Sequence, residues 1–514
     1  MDSFCDVHGQ FLAERARDVY GVTTLQVYSD YMRGYFLHLQ PDDRPENIQE
    51  SLSMCMPSSL EEVKEWCSRL DDEFCLLGGA SSVEKGYELA ALVCDSDSGL
   101  AHAEQLADWL NVTTRNPGGV QEKRRNKYLM IETIRSAGIP TIEQRLCSSQ
   151  EEAVEFATSL LLATTSLSPS SSSVQSRDDS DDVDDVVDRQ SIPQSGLGST
   201  TSCFRQNHVV IKPARGCGSH NVYLCDDLDS VTCAFDRIYG SGIFGSPGQK
   251  HENVLVQEFA IGEEFAIDTV SRDGELKIVA IWKYDKRPAN GAPFVYYATK
   301  LFDDNNKDSG KEPIIPALYA YLSSCLEALD IRWGITHSEV IVTPDGPRLV
   351  EVNCRQHNMD FLLLTMGGVG YNIYDVLLAA YFGHSSNDGT TDNMPVKSDK
   401  NRLEWNLIPD IPTTRMNAAM VHLVNSKDGT LKRVNDEALY EIEAMASVVD
   451  LEVYSKFLEV GTQICPTVDI KSDAGWIQLI HPEPEIFATD FQRIIELMPT
   501  LFEVEEATNP GSDK

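Results

Sequence analysis

Two glutamates on either side of a tight turn constrain this chain more than any other feature. The stretch His337-Ser-Glu-Val-Ile-Val-Thr-Pro-Asp-Gly-Pro-Arg-Leu-Val-Glu-Val-Asn-Cys-Arg355 holds two apolar runs separated by Pro344-Asp345-Gly346. Turn residues of this kind between apolar runs predict a β-hairpin. A register centred on Asp345 sets Glu339 opposite Glu351, Ile341 opposite Leu349 and Thr343 opposite Pro347. It is an assumption, because a one-residue slip turns the second strand over. Period-two alternation puts Glu351 and Asn353 on one face and turns Cys354 away. Like charges directly opposite on a sheet destabilise it. Two carboxylates and an amide oxygen at one spot make sense around a hard cation. Mg2+ takes oxygen ligands, commonly one or two carboxylates plus substrate phosphates. Arg355 would reach the same face as a planar cation. The bland alternative is a solvent-facing hairpin; the apolar positions in between argue against it.

Two further segments carry chemistry. In His208-Val-Val-Ile-Lys-Pro-Ala-Arg-Gly-Cys-Gly-Ser-His-Asn221 an apolar strand delivers Lys212 to a loop with Gly216, Gly218 and Ser219. Glycines let backbone N–H groups approach a phosphate, and a lysine adds a point charge. No GxxxxGK[ST] motif is present in the chain, and this loop is not a GxGxxG. Alone, the pattern also fits an ordinary Gly-rich turn. In Asn253-Val-Leu-Val-Gln-Glu-Phe-Ala-Ile-Gly-Glu-Glu-Phe-Ala-Ile-Asp268, two β-runs flank Ile261–Glu263. Val254, Val256 and Glu258 share one side, Leu255, Gln257 and Phe259 the other. Gln257-Glu258-Phe259-Ala260 can give a purine a backbone donor and acceptor, a polar edge and apolar faces. Glu264 could accept from ribose hydroxyls. An ordinary hairpin with solvated glutamates is the alternative. Lys127 lies in a basic cluster, Lys123-Arg-Arg-Asn-Lys127, which reads as a solvated helix face or as a second phosphate contact. Lys283, Tyr284, Lys286 and His357 are pocket candidates, each equally readable as a surface or structural residue.

The chain has 514 residues and a net charge of −37. That length predicts several domains, and the acidity excludes a broadly basic surface for nucleic acid or anionic lipid. No apolar run nears the ~20 residues of a membrane span, no leader pattern opens the chain, and 13 cysteines without a CxxC pair read as reduced cytosolic thiols. The expected setting is cytoplasmic, with small-molecule partners, no nucleic acid and no membrane; a homodimer is left open.

Alternating elements over residues 1–115 predict an α/β unit: strands Ser3–Val7, Val22–Tyr28 and Phe74–Gly79, helices Gln10–Tyr20 and Leu100–Leu110. A helix is predicted from Gln121 to Ala137, and another, opened by a Ser149-x-x-Glu152 capping box, through Leu162. Residues 164–206 are rich in Ser and Asp and read as a disordered loop expansion, with a phosphorylatable regulatory insert as the alternative. From 208 to 365 short β-runs dominate, interrupted by one helix, Pro316–Leu329. A polar linker, 384–400, leads to a last α/β block, 401–505, with strands Ala418–Leu423, Glu452–Leu458 and Gly475–Leu479 and a helix Phe491–Met498. A tail covers 506–514.

Taken in order, RRNKYLM at 124–130, VVIKPARGCGS at 209–219, VLVQEFAIGEEFAID at 254–268 and the Glu339…Glu351-Val-Asn353-x-Arg355 hairpin resemble the ATP-grasp superfamily of carboxylate–amine ligases. The chain is most similar to the group containing L-amino-acid (dipeptide) ligases. The tail motif Gly461-x-x-Ile-x-Pro-Thr-Val-Asp-Ile…Gly475-Trp-Ile-Gln-Leu-Ile-His481 resembles C-terminal domains in that group. The resemblance implies an α/β (α+β) architecture: a Rossmann-like pre-ATP-grasp domain (1–115), an ATP-grasp domain (116–383) and a C-terminal α/β domain (401–505). It implies ATP and Mg2+, with Mn2+ as an alternative. Lys127 and Lys212 would contact phosphates, Gly216, Cys217, Gly218 and Ser219 would form the phosphate loop, Gln257, Glu258, Phe259 and Ala260 would bind adenine, and Glu264 the ribose. Glu339, Glu351 and Asn353 would hold the metal and Arg355 would face the reacting carboxylate. The implied reaction makes an acyl phosphate that an amine converts to an amide, releasing ADP and phosphate. A glycine-rich stretch often follows the arginine in this superfamily; here it is Gln356-His357-Asn358-Met359-Asp360, which leaves the acceptor pocket open. The rival reading is a non-catalytic ATP-binding sensor. A bicarbonate-using carboxylase lacks a biotin-type hairpin here, and a dinucleotide oxidoreductase lacks GxGxxG after Ser3–Val7.

Overall fold

The computed structural model describes residues 7–22, 24, 59–62, 64–65, 89–94, 96, 99–165, 208–216, 220–243, 248–304, 313–357, 361–383 and 402–505. The strands expected at Val22–Tyr28 and Phe74–Gly79, the acidic insert beyond Thr165, the 384–400 linker and the 506–514 tail lie outside, or almost wholly outside, the described residues. Val7, expected in a strand, instead opens helix α1 (Val7–Tyr20). Helix α2 (Leu100–Trp109) follows, and no strand is assigned among the described residues of 1–115.

The helix expected from Gln121 to Ala137 is broken. A short 3-10 turn covers Gln121–Arg124, and α3 (Lys127–Ser136) starts afresh. Asn126 causes the break: its side-chain oxygen accepts from the backbone N–H groups of Tyr128 (3.0 Å) and Leu129 (3.2 Å), an N-cap. Lys127 is thereby the first helical residue and points out of the helix end. Two other members of the basic cluster, Lys123 and Arg124, are structural. Arg124 is 1% exposed and binds Glu104 (2.7 Å) and the carbonyl of Leu329 (3.0 Å), while Lys123 meets Asp330 at 2.5 Å.

A small four-stranded sheet comes next, order β1-β4-β2-β3, built from β1 (Gln144–Cys147), β2 (Val209–Lys212), β3 (Tyr223–Cys225) and β4 (Val254–Glu258). Helices α4 (Gln150–Thr165) and α5 (Leu228–Ile238) cover one face. Helix α5 was not anticipated; its N-cap Asp227 and Ser230 form a reciprocal capping box, a signal that can be read in Asp-x-x-Ser. Alternation sends Val209, Ile211, Val254 and Val256 into the helix-covered core. Lys212 and Gln257 face the other way, into a cleft.

The larger sheet has eight strands, in the order β12-β14-β10-β7-β6-β5-β8-β9. Its members are β5 (Glu263–Arg272), β6 (Glu275–Ala289), β7 (Ala292–Leu301), β8 (Gly334–Thr343), β9 (Gly346–Asn353), β10 (Asn417–His422), β12 (Val448–Val453) and β14 (Gly475–His481); β11 (Gly429–Val434), β13 (Gln463–Ile464) and β15 (Phe502–Glu505) form a separate three-stranded sheet. Between β7 and β8 runs α6 (Ile315–Ala328), which with α3 buries Phe265, Ile267, Val340, Leu349 and Val352. Helix α8 (Ile373–Phe382), which follows the short α7 (Leu362–Gly368), is apolar nearly all round because it is buried against Val270, Val279 and Ile335. No single described helix is long and apolar enough to cross a membrane. The block 401–505 adds β10, β12 and β14 to the same sheet through the β7–β10 pairing. Its strand expected at Glu452–Leu458 is β12 and ends at Val453, with a 3-10 turn at Ser455–Phe457; the last long helix is longer than expected, Pro484–Leu497.

Between β4 and β5 the two sheets meet at Gly262. A Cβ there would lie 2.2 Å from the Val342 carbonyl oxygen, so only glycine fits against β8. Gly262→Ala is expected to destabilise the protein by about 1–3 kcal/mol through overpacking, read as a lower midpoint in thermal denaturation.

Candidate active site

The β8–β9 hairpin places Glu339 directly opposite Glu351, as the sequence predicts, and His337 opposite Asn353. The rest of the predicted register is wrong. Ile341 pairs with Arg348 and Thr343 with Gly346, not with Leu349 and Pro347. The turn closes tightly: Thr343 Oγ1 donates to the Gly346 carbonyl at 2.8 Å, and Gly346 takes φ of +100°. A bulge between Glu339 and Val340 then makes Val350 an extra residue and restores the pairing of the glutamates.

Alternation along five neighbouring strands puts chemistry on one sheet face. Glu264, Ala266 and Asp268 on β5 stand beside Trp282, Tyr284 and Lys286 on β6, Tyr296 on β7, His337 and Glu339 on β8, and Glu351 and Asn353 on β9. The small sheet lies over this face, and the two enclose a cleft of about 330 Å³. Lys127, Lys212, Gly216, Gln257, Glu258, Phe259, Ala260, Glu264, Glu339, Glu351, Asn353 and Arg355 all line it. Cys217, Gly218 and Ser219 lie outside the described residues. Gln257 Nε2 donates to Gln144 Oε1 at 2.8 Å, which fixes that side chain on the cleft wall, and the Glu258 N–H donates to the Glu143 carbonyl at 2.9 Å.

Charge is balanced by pairs. Lys127 Nζ binds Glu351 Oε2 and donates to the Gly216 carbonyl at 2.8 Å. Asn353 Nδ2 donates to Glu351 Oε1 at 2.9 Å. Lys286 donates to Glu264 at 2.6 Å. Burial, then the neighbouring Lys127, push the Lys212 ammonium down to about 8, against the pull of Glu351, Glu339 and Glu264. Burial also opposes the charge on Glu339, yet Lys286, His337 and Lys127 outweigh it and hold its carboxyl well below the usual range. Burial raises Glu264, an effect that Lys286 only partly offsets and Glu339 reinforces. The oxygens of Glu339, Glu351 and Asn353 are hard donors on one face, and like charges sit directly opposite with a lysine drawn between sheet and loop. That donor set fits Mg2+.

Sequence reasoning missed three functional neighbours. Asp268 receives His337 Nδ1 (2.9 Å), His357 Nδ1 (3.3 Å) and the Trp282 indole N–H (2.7 Å), all buried. Asp268 lies four residues beyond Glu264 and His337 two before Glu339, so the period-two rule already places them on the reactive face. His422 on β10, held by Asp473 at 3.0 Å, also lines the cleft. No local signal marks it, because it arrives through the nonlocal β7–β10 pairing.

Residues 205–359 match the family model described as an ATP-grasp domain, and the chain carries an ATP-grasp domain. It is 28% identical over 270 residues to dapdiamide A synthase of Enterobacter agglomerans, covering 52% of this chain and 51% of that protein. It is 27% identical over 143 residues to the L-arginine-specific L-amino acid ligase of Bacillus subtilis, covering 28% of this chain and 32% of that one. The match thus spans about half of the first relative's length and a third of the second's. Among solved structures, an L-amino acid ligase from Bacillus licheniformis shares the fold at a TM-score of 0.59 and 16% identity, over 96% of both chains.

Proposed function

We propose that this protein is an ATP-dependent carboxylate–amine ligase that joins small molecules, at least one of them an amino acid, in the cytoplasm. The observation that carries the reading is the pairing of Glu339 with Glu351 on the cleft face beneath Lys212, beside Arg355. Lys127 and Lys212 bind the triphosphate; Lys127 exchanges Glu351 for phosphate when nucleotide enters. Gln257 through Ala260 line the adenine side and Glu264 the ribose. Glu339, Glu351 and Asn353 would hold Mg2+, which supplies charge neutralisation to the β- and γ-phosphates. Arg355 orients the acyl phosphate by bidentate contacts and stabilises the oxyanion as an amine attacks. The small sheet excludes water from the acyl phosphate, which would otherwise hydrolyse. The C-terminal block closes the far end of the cleft through His422.

The test is incubation with Mg-ATP and pools of amino acids and other small acids, following phosphate release and new amides by mass spectrometry. Nucleotide binding without turnover across that panel would favour a sensor instead. A pH effect is also expected. Below about pH 8 the ligand-free protein already carries the Lys212 charge, so nucleotide affinity is flat. Above it, binding must recruit a proton, and affinity falls by up to about tenfold per pH unit. Titrating ADP between neutral and alkaline pH reads this slope, which Lys212→Met removes.

A further inference from the structure

We propose that His357 receives the amine nucleophile of the ligation and takes up its proton at Nε2. The inference rests on the ligase reading above. His357 lines the cleft two residues from Arg355. Its ring is held in one plane: Phe361 stacks on it at 4.0 Å and 11°, and Trp282 meets it edge-on at 6.4 Å. Nδ1 lies 3.3 Å from Asp268 Oδ2, so that nitrogen carries the hydrogen and the lone pair of the neutral ring is at Nε2. Nε2 is 3.4 Å from the Tyr284 oxygen. That hydroxyl has one proton, and the Glu339 carboxylate, at 3.2 Å, has a stronger claim on it than the His357 ring. The His357 lone pair is therefore left for a donor entering the cleft.

The groups facing His357 are Asp268 from β5, Trp282 and Tyr284 from β6, His337 and Glu339 from β8, Phe361 ahead of α7, and Arg355 on its own segment. Burial and the adjacent His337 push His357 down to about 4, with Asp268 opposing, so its ring is uncharged at neutral pH and Nε2 is an acceptor. The amine arrives as an ammonium. One N–H proton moves to Nε2 as the nitrogen pair forms the C–N bond. The acyl C–O bond breaks, its electron pair leaves with phosphate, and phosphate takes the second N–H proton. His357 then returns its proton to solvent. The same three side chains, Asp268, His337 and His357, offer atoms within 4.8 Å of one another, a spacing a transition metal could bridge. Three N–H donors already serve the carboxylate, which favours the hydrogen-bonded arrangement.

Hydroxylamine separates the two half-reactions, because it is largely unprotonated at neutral pH and traps an acyl phosphate without a base. Wild type and His357→Gln are given Mg-ATP and proteinogenic L-amino acids, with and without hydroxylamine. His357→Gln should keep hydroxamate formation within about threefold and lose amide formation about a hundredfold at neutral pH, the gap closing as pH rises. Parallel loss of both products, or unchanged amide formation, overturns the proposal. So does stoichiometric zinc in the purified protein that is lost in the variant. Wild type supplies a readout free of any folding defect. Its amide-to-hydroxamate ratio should change little between pH 7 and 8, whereas a rise of about tenfold means the amine enters as free base and His357 takes no proton. If wild type makes neither product, the ligase reading fails and this inference with it; hydroxamate with an unaffected variant sinks this inference alone.

Discussion

Replacing Glu351 by glutamine is expected to lower ATP-dependent turnover about a thousandfold while leaving a folded protein. The factor corresponds to roughly 4 kcal/mol, the scale of a lost charge contact to transferring phosphate. Glutamine preserves the shape, and the strand pairing with Glu339 persists without like-charge repulsion. What disappears is one of two anionic oxygen donors and the partner of Lys127. These two losses can be told apart. If Glu351 mattered only as an anchor for Lys127, Lys127→Met would match the Glu351→Gln defect and the Mg2+ requirement would not move. The account expects instead that Glu351→Gln raises the Mg2+ concentration needed for half-maximal ADP release, whereas Lys127→Met chiefly raises the KM for ATP. Both variants should also lose some thermal stability, since each removes one partner of an ion pair that is only 12% exposed on either side.

Arg355→Lys is expected to cost about a hundredfold to a thousandfold in kcat, with a smaller change in the KM for ATP. A lysine keeps the charge and loses the planar fork that can hold two oxygens at once. Arg355 is 6% exposed at the end of β9, where it lines the cleft with Asn353. Steady-state kinetics with phosphate release as the readout would check this. Near-parental turnover would remove Arg355 from the chemistry and leave it as a structural residue.

Much of the site could be read before any coordinates, because the relevant signals are local. Period-two alternation and one turn motif bring Glu339, Glu351 and Asn353 together, and a strand followed by glycines marks Lys212. The errors are equally physical. The hairpin register was displaced by a tighter turn and then restored by the extra residue Val350, an event with no composition signature. The helix at 121–137 looked continuous because its apolar spacing is, but Asn126 prefers to cap rather than to continue, and it splits the run. The basic cluster looked uniform, yet Arg124 is spent on carbonyls at the C-terminal end of α6 and only Lys127 turns to the cleft. His422 could not be anticipated, since it depends on a strand some 120 residues away, β7, pairing with β10. Asp268 and His337 lie in the same motifs as Glu264 and Glu339, but they are partners only across the β5–β8 pairing, which no local pattern announces.

The most direct measurement is a crystal structure of the protein with ADP and Mn2+, with the ion located by its anomalous signal. The account predicts a peak among the oxygens of Glu339, Glu351 and Asn353, with the nucleotide phosphates between it and Lys212. A peak at Asp268, His337 and His357 instead, or nucleotide bound with no ion between those glutamates, would contradict it.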